Sequence, residues 1–311
     1  YLGEDIFGLD SSSFSFSSKI AGLSEDDMSF SITSPTTSSF NLVNGDVVKI
    51  KITSKVPDNL DAVDTNFDEA AIEIGEFTFN LMNSTVVSNS TEGTFTVYMQ
   101  RENKLIISDF DALINDKDTE SNIDDGDDIQ DLRPGDSVEL SITADSEYSS
   151  RAEIDIEDIE IDVICDEDED LDFEDDNIDV GDLGPKDDSE ETLNLNIEDD
   201  AVDGTVTCDL ILSGTDENGA KHGERIEGFG VEIVRKSHDI VIKNVRVTPN
   251  ALSCDDGSLQ VAVDMINLGT RDEDEVAVQI QSIALGINEK ISNLVIDEDD
   301  TSTETFIASI E

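Results

Sequence analysis

The chain has 311 residues and sets 76 Asp and Glu against 18 Lys and Arg, a formal net charge of −58. That balance excludes nucleic acid as a partner, because phosphate contacts need clustered cations, and it sets the chain against anionic lipid. Self-repulsion on this scale calls for concentrated counterions or bound divalent cations, as in a salty or calcium-bearing exterior.

High charge with few aromatics warns of disorder, yet 37% of the residues are hydrophobic and they fall in alternating runs. Ordered β structure is therefore expected. No apolar run is long enough to span a bilayer, so no direct membrane insertion is expected in this segment. The opening at Tyr1 without a Met reads as a processed or partial product.

In chain order, Ser11–Ser18 alternates Ser with Phe and reads as an edge strand or a flexible linker. Val48, Ile50 and Ile52 share one strand face, and Phe95 and Val97 another. Asp68–Ile74 between them is the one helix candidate. Period-two alternation then continues through Val138, Leu140 and Ile142, through Ile154 to Val163, and through Leu193, Leu195 and Ile197. It resumes at Val206, Cys208, Leu210 and Leu212, at Leu259, Val261, Val263 and Met265, and at Val276, Val278 and Ile280. Pro134-Gly135-Asp136 and Asp203-Gly204 supply turns before strands. Asp216-Glu217-Asn218-Gly219 closes a hairpin between the Val206–Leu212 strand and the one near Val231. One apolar and one acidic face per strand is the pattern of antiparallel sandwiches with solvated outer faces. The fold class is all-β.

Catalytic chemistry has little to work with. His222, placed in the loop after Asn218-Gly219, and His238, at a domain junction, are the two groups that titrate near neutrality. Neither adjoins a nucleophile motif, and an enzyme is not expected. Of the three Cys, Cys165 and Cys208 belong to one unit and either form a disulfide, which an exported protein permits, or stand as two buried thiols. Cys254 is left over.

Calcium is the candidate ion, since it takes six to eight oxygen ligands and Asp-rich loops supply them. Asp116, Asp118 and Glu120 open like an EF-hand loop with Asp127 at the twelfth position, but Ser121 replaces the turn glycine and no helices flank it. Asp166, Asp168 and Asp170 begin a nearly continuous acidic run to Asp176. A solvated acidic surface is the alternative for each run. Asn83-Ser84-Thr85 and Asn89-Ser90-Thr91 are glycosylation sequons.

An internal repeat organises the second half. Leu105, Ile107 and Phe110 align with Ile240, Ile242 and Val245. Val138, Leu140 and Ile142 align with Leu259, Val261 and Val263; Glu153–Ile156 aligns with Glu275–Val278. Leu193, Leu195 and Ile197 then align with Phe306, Ala308 and Ile310. The offset shrinks in steps, so the earlier copy carries insertions, and tandem β domains follow. The expected domains are 1–101, 102–237 and 238–311, the last incomplete because nothing matches the strands Val206–Leu212 and Phe229–Val234. A longer chain, or the Ser11–Ser18 stretch of a neighbouring subunit donating Phe14 and Phe16, would supply what is missing.

The segment Ile240–Ile280 resembles an Ig-like CARDB domain. The resemblance is carried by Val247-Thr248-Pro249, Cys254-Asp255-Asp256-Gly257 and the run Val261–Gly269 with its Asn267-Leu268-Gly269 turn. Over about its last two-thirds the chain, acidic and in tandem units, is similar to predicted surface-layer or stalk proteins of small-genome archaea. That resemblance implies non-enzymatic scaffolding at the extracellular cell surface, with self-association into a lattice or filament. The alternatives are an adhesin or glycan-binding module, or a viral or appendage subunit.

Overall fold

The computed structural model describes residues 6–8, 14–20, 23–34, 39–41, 47, 49–83, 90–166, 169–251 and 257–309. Among the described residues there is no α-helix, and nearly all regular structure is antiparallel strand. Three separate hydrophobic clusters organise it.

The first unit comprises β1 (Ile6–Gly8), β2 (Phe14–Ser18), β3 (Met28–Ser34), β4 (Ser39–Asn41), β5 (Lys49–Ser54), β6 (Ile72–Asn83) and β7 (Ser90–Met99), and its cluster draws on β2, β3, β5, β6 and β7. The long strand β6 carries β7 along one edge and β2 and β1 along the other, while β3 and β5 form a separate pair. The Ser/Phe alternation of β2 buries Phe14 and Phe16 beside Phe77 in this cluster, and Phe14 stacks on Phe30 at 5.6 Å. Two expectations fail here. Asp68–Ile74 is not helical, because Ile72 opens β6 and alternation overrides the short helical stretch. Phe14–Ser18 pairs in register with Phe79–Gly75 of its own chain, so it is not a donated strand. Residues 11–13 lie outside the described residues.

The middle sandwich comprises β8 (Leu105–Ile114), β9 (Asp118–Glu120), β10 (Asp128–Leu132), β11 (Ser137–Ser146), β12 (Ile156–Cys165), β13 (Leu171–Phe173), β14 (Asn177–Leu183), β15 (Asp188–Ile197), β16 (Gly204–Asp216) and β17 (Lys221–Ile233). Its sheets run β13-β15-β11-β8-β9 and β10-β17-β16-β12-β14. Inward residues of both sheets form one core, including Phe110, Leu140, Ile161, Leu195, Leu210 and Phe229, while the acids between them point outward. Phe110 on β8 meets Phe229 on β17 edge-to-face at 5.3 Å, which locks the two layers. The β16–β17 hairpin closes around Gly219 at φ 84°.

The third sandwich consists of β18 (Ile240–Thr248), β19 (Ser258–Asn267), β20 (Glu273–Ser282), β21 (Ile287–Ile296) and β22 (Thr301–Ser309), in sheets β18-β19-β22 and β20-β21. The order β18-β19-β22 repeats β8-β11-β15, and the pair β20-β21 repeats β12-β14. Residue by residue the repeat is looser, since Ile154 lies before β12 whereas Val276 is well inside β20. Among the described residues nothing corresponds to β16 and β17, and β20 has one partner strand.

Candidate functional site: the buried junction between the first two sandwiches

Polar side chains are seldom fully buried unless paired, so the buried polar residues mark where something other than packing is at work. Asn103, Asp216 and His222 are three of the five in the chain's described residues. They meet where the first sandwich joins the second.

Asp216 ends β16, and its carboxylate is entirely enclosed. One oxygen accepts the backbone N–H groups of Asn218 and Ala220 at 2.9 and 3.0 Å, which shapes the hairpin turn. The other accepts the Tyr148 hydroxyl at 2.6 Å and the Arg101 guanidinium at 2.5 Å. Burial alone would raise its pKa, yet the Tyr148 and Ala220 hydrogen bonds and the Arg101 charge hold it below the ordinary carboxylate value. Burial, with the bond to Asp216, pushes the Tyr148 hydroxyl well up.

His222 is wholly buried in β17, not in the loop expected from the sequence. The Asp216 caps close the turn so tightly that the strand resumes at Lys221. Its Nδ1 accepts the Lys104 N–H at 3.1 Å, and its Nε2 stands 3.2 Å from the Tyr148 oxygen. An accepting Nδ1 assigns the proton of the neutral ring to Nε2, which donates to Tyr148. Burial and the nearby Arg101 charge lower its pKa to about 4, so the ring is neutral at pH 7.

The same residues reach the first sandwich. Arg101 donates to the carbonyl of Asp58, and its other nitrogen bonds the Tyr148 hydroxyl at 2.6 Å. Asp61 accepts the Lys221 N–H at 3.0 Å, and the Ala62 N–H returns a bond to the Lys221 carbonyl at 2.8 Å. The Asn103 amide donates to the Leu105 and Gly223 carbonyls, both at 2.8 Å, and accepts the Gly223 N–H. Leu60, Ala62 and Val63 are buried beside these groups. Gly223 is required here, because a Cβ would stand 2.2 Å from the Leu212 carbonyl oxygen and 2.9 Å from Phe67.

A second junction follows the same plan. Arg235 is almost enclosed and donates to Asp299 and to the Gly269 and Leu268 carbonyls of the third sandwich. Its own N–H is held by Asp203 of the second. Asn267 binds the Arg271 and Ile296 carbonyls and the Gly269 N–H. The Asn-x-Gly turn therefore seats the linker, and a Cβ on Gly269 would meet the Asp239 nitrogen at 2.8 Å.

The residues singled out from sequence fall elsewhere. Cys165 and Cys208 face one another on β12 and β16, and their sulfurs are bonded. Cys254 lies outside the described residues, as do Asp168 and Asn89; Asn83 ends β6. Among the described residues no group of three or more His, Cys, Asp or Glu is arranged to hold a metal. Asp116 sits in the β8–β9 turn, and Asp118 and Glu120 lie on β9. Several of the carboxylates already have backbone partners: Glu120 with Gln130, Asp127 with Asp124, Asp170 with Val202. Asp166 follows β12 with its N–H on Thr207. His238 is exposed and paired with Glu273.

Sequence reasoning passed over Arg101, Asn103, Tyr148, Asp216 and Arg235. The available signal was position: in a chain with 18 cations, an Arg stands just before the first strand of each of the last two sandwiches. No helix among the described residues is long and apolar enough to cross a membrane. No protein-family model matches the chain, and the search of curated proteins returns no match.

Proposed function

We propose that this chain is a non-enzymatic structural protein of the cell exterior, a subunit of a surface layer, stalk or filament. The observation that carries the reading is the junction built on Arg101 and Asp216. A buried ion pair of this kind gives little stability over an apolar contact, and its best-attested return is a unique arrangement. Fixing one sandwich against the next is what a structural subunit needs and what a pair of independent binding modules does not. The repeat of the device at Arg235 supports the same reading. The Cys165–Cys208 bond and the acid-coated outer faces suit an oxidising, salt-rich exterior, and the resemblance of Ile240–Ile280 to CARDB domains points the same way.

The test is access in intact cells. A membrane-impermeant amine label and immunogold electron microscopy should reach the protein without lysis and show it in an ordered array or appendage. Labelling that requires lysis, or a protein scattered singly over the surface, would refute the proposal.

A further inference from the structure

Strand β18 is exposed along nearly its whole length. Register assigns Ile242, Val245 and Val247 to the same face as Met265, Val263 and Val261 of β19. The β19 residues are 2–7% exposed, whereas their β18 neighbours are 55%, 51% and 43% exposed. In the middle sandwich the corresponding strand β8 has Phe110 and Ala112 at 2% and 0%, because β16 and β17 lie against it. Among the described residues the third sandwich is thus open at one corner, with an uncovered apolar face on β18 and unpaired edges on both β18 and β20. Such edges ordinarily carry charges that block pairing. Here β18 has no acid and carries Lys243 and Arg246, while β20 begins Glu273-Asp274-Glu275.

We propose that a second copy of this chain closes the corner, about a two-fold axis that runs parallel to the strands and passes between the two β18 strands. Strand β19 turns through residues 268–272 into β20, so β20 runs in the direction of β18. Rotation about that axis lays the β18 of each molecule parallel to and beside the β20 of the other. Two five-stranded sheets result, each ordered β21-β20-β18-β19-β22, with the first two strands from one molecule and the last three from its mate. Both free edges are paired, and the Ile242–Val245–Val247 faces meet across the axis as an isologous contact. The arrangement restores the two five-stranded layers of the middle sandwich. A parallel edge pair already exists there between β10 and β17. Charge permits this pairing: it sets a strand without carboxylates, whose Lys243 and Arg246 already hold Asp199 and Asp264, beside an acidic one, where most other contacts between two such chains would set acid against acid. The inference stands on the third sandwich alone and holds or fails independently of where the protein acts.

The test uses the full chain carrying Cys254→Ser, in about 1 M salt so that net repulsion is screened. Sedimentation equilibrium should give the mass of two chains. Val245→Lys would bring two ammonium groups into the apolar contact at the axis. It should weaken the dimer at least about hundredfold, whereas Ile307→Lys on the outer face of β22 should leave it intact. Val245→Cys should oxidise to a covalent dimer, and Ile307→Cys should not. A chain that stays monomeric at all concentrations would overturn the proposal, and would leave the open corner to strands from a longer form of this chain or from another polypeptide. A dimer indifferent to Val245→Lys, or equal crosslinking at both cysteines, would also overturn it.

Discussion

Acid should unfasten the first junction through His222. The ring is neutral in the native state because burial lowers its pKa to about 4 from an ordinary 6.5. Arg101 opposes its protonation, and Asp216 and Asp61 do not offset the burial. Above pH 6.5 neither the folded nor the unfolded chain protonates this residue, and it contributes no pH dependence. Between 6.5 and 4 the unfolded chain takes the proton and the folded chain does not, so stability is lost as pH falls. At pH 4.5 the linkage amounts to about 2.5 kcal/mol. Other groups titrate in the same range. Burial raises Glu224, whose effect has the opposite sign, and depressed Asp216 acts at lower pH. The comparison is therefore between the wild type and His222→Asn, whose amide oxygen keeps the acceptor for the Lys104 N–H. Urea unfolding at fixed ionic strength should show the variant weaker near neutrality by about 2 kcal/mol, from the lost ring packing and Tyr148 contact. That gap should narrow or close by pH 4.5. Parallel losses in both proteins would mean that His222 is not held neutral, and would refute the reasoning.

Arg101→Met strands the enclosed Asp216 carboxylate and should cost about 3–5 kcal/mol by denaturant unfolding; adding Asp216→Asn should recover part of this, and a single-variant loss below about 1 kcal/mol would show the pair to be solvated. Reducing Cys165–Cys208, or replacing both with Ala, reopens a loop spanning 43 residues, and should lower stability by about 2–4 kcal/mol in thermal melts. Among the described residues the buried Ser146 hydroxyl has no hydrogen-bond partner, so Ser146→Ala should be neutral or stabilising by up to about 1 kcal/mol; a clear loss would reveal a partner for it.

Alternation made the strands legible because the chain is so acidic: with one face coated in carboxylates, the other is the only place for Val, Ile and Leu. The same signal revealed the repeat, since β8-β11-β15 and β18-β19-β22 carry apolar residues on the same side of the same strand order. It also put Cys208 on the core face and the turn at Gly219. It could not say which chain a strand belongs to, which is why Ser11–Ser18, read as an edge strand or a linker, also fitted a strand that a neighbour donates. Nor could it expose the junctions. Arg101 and Tyr148 are far in sequence from Asp216 and His222, and the four meet through the β16–β17 hairpin and the linker. In a chain with 76 acids nothing about Asp216 sets it apart until its burial is known.

The scarcity of cations then acquires a structural sense. Arg101 and Arg235 sit at the two junctions, and Lys243 pairs across the second one with Asp199. Arg225 ties Asp209 within the β16–β17 hairpin. Exposed pairs of this kind contribute little by themselves, but a buried guanidinium between two acidic bodies does something that salt cannot. Dissolved cations screen repulsion over a Debye length and leave orientation free. An Arg that donates to Asp216 and to the Asp58 carbonyl fixes both bodies at one angle. Screening makes it possible for the sandwiches to lie together, and the two arginines determine how they do so.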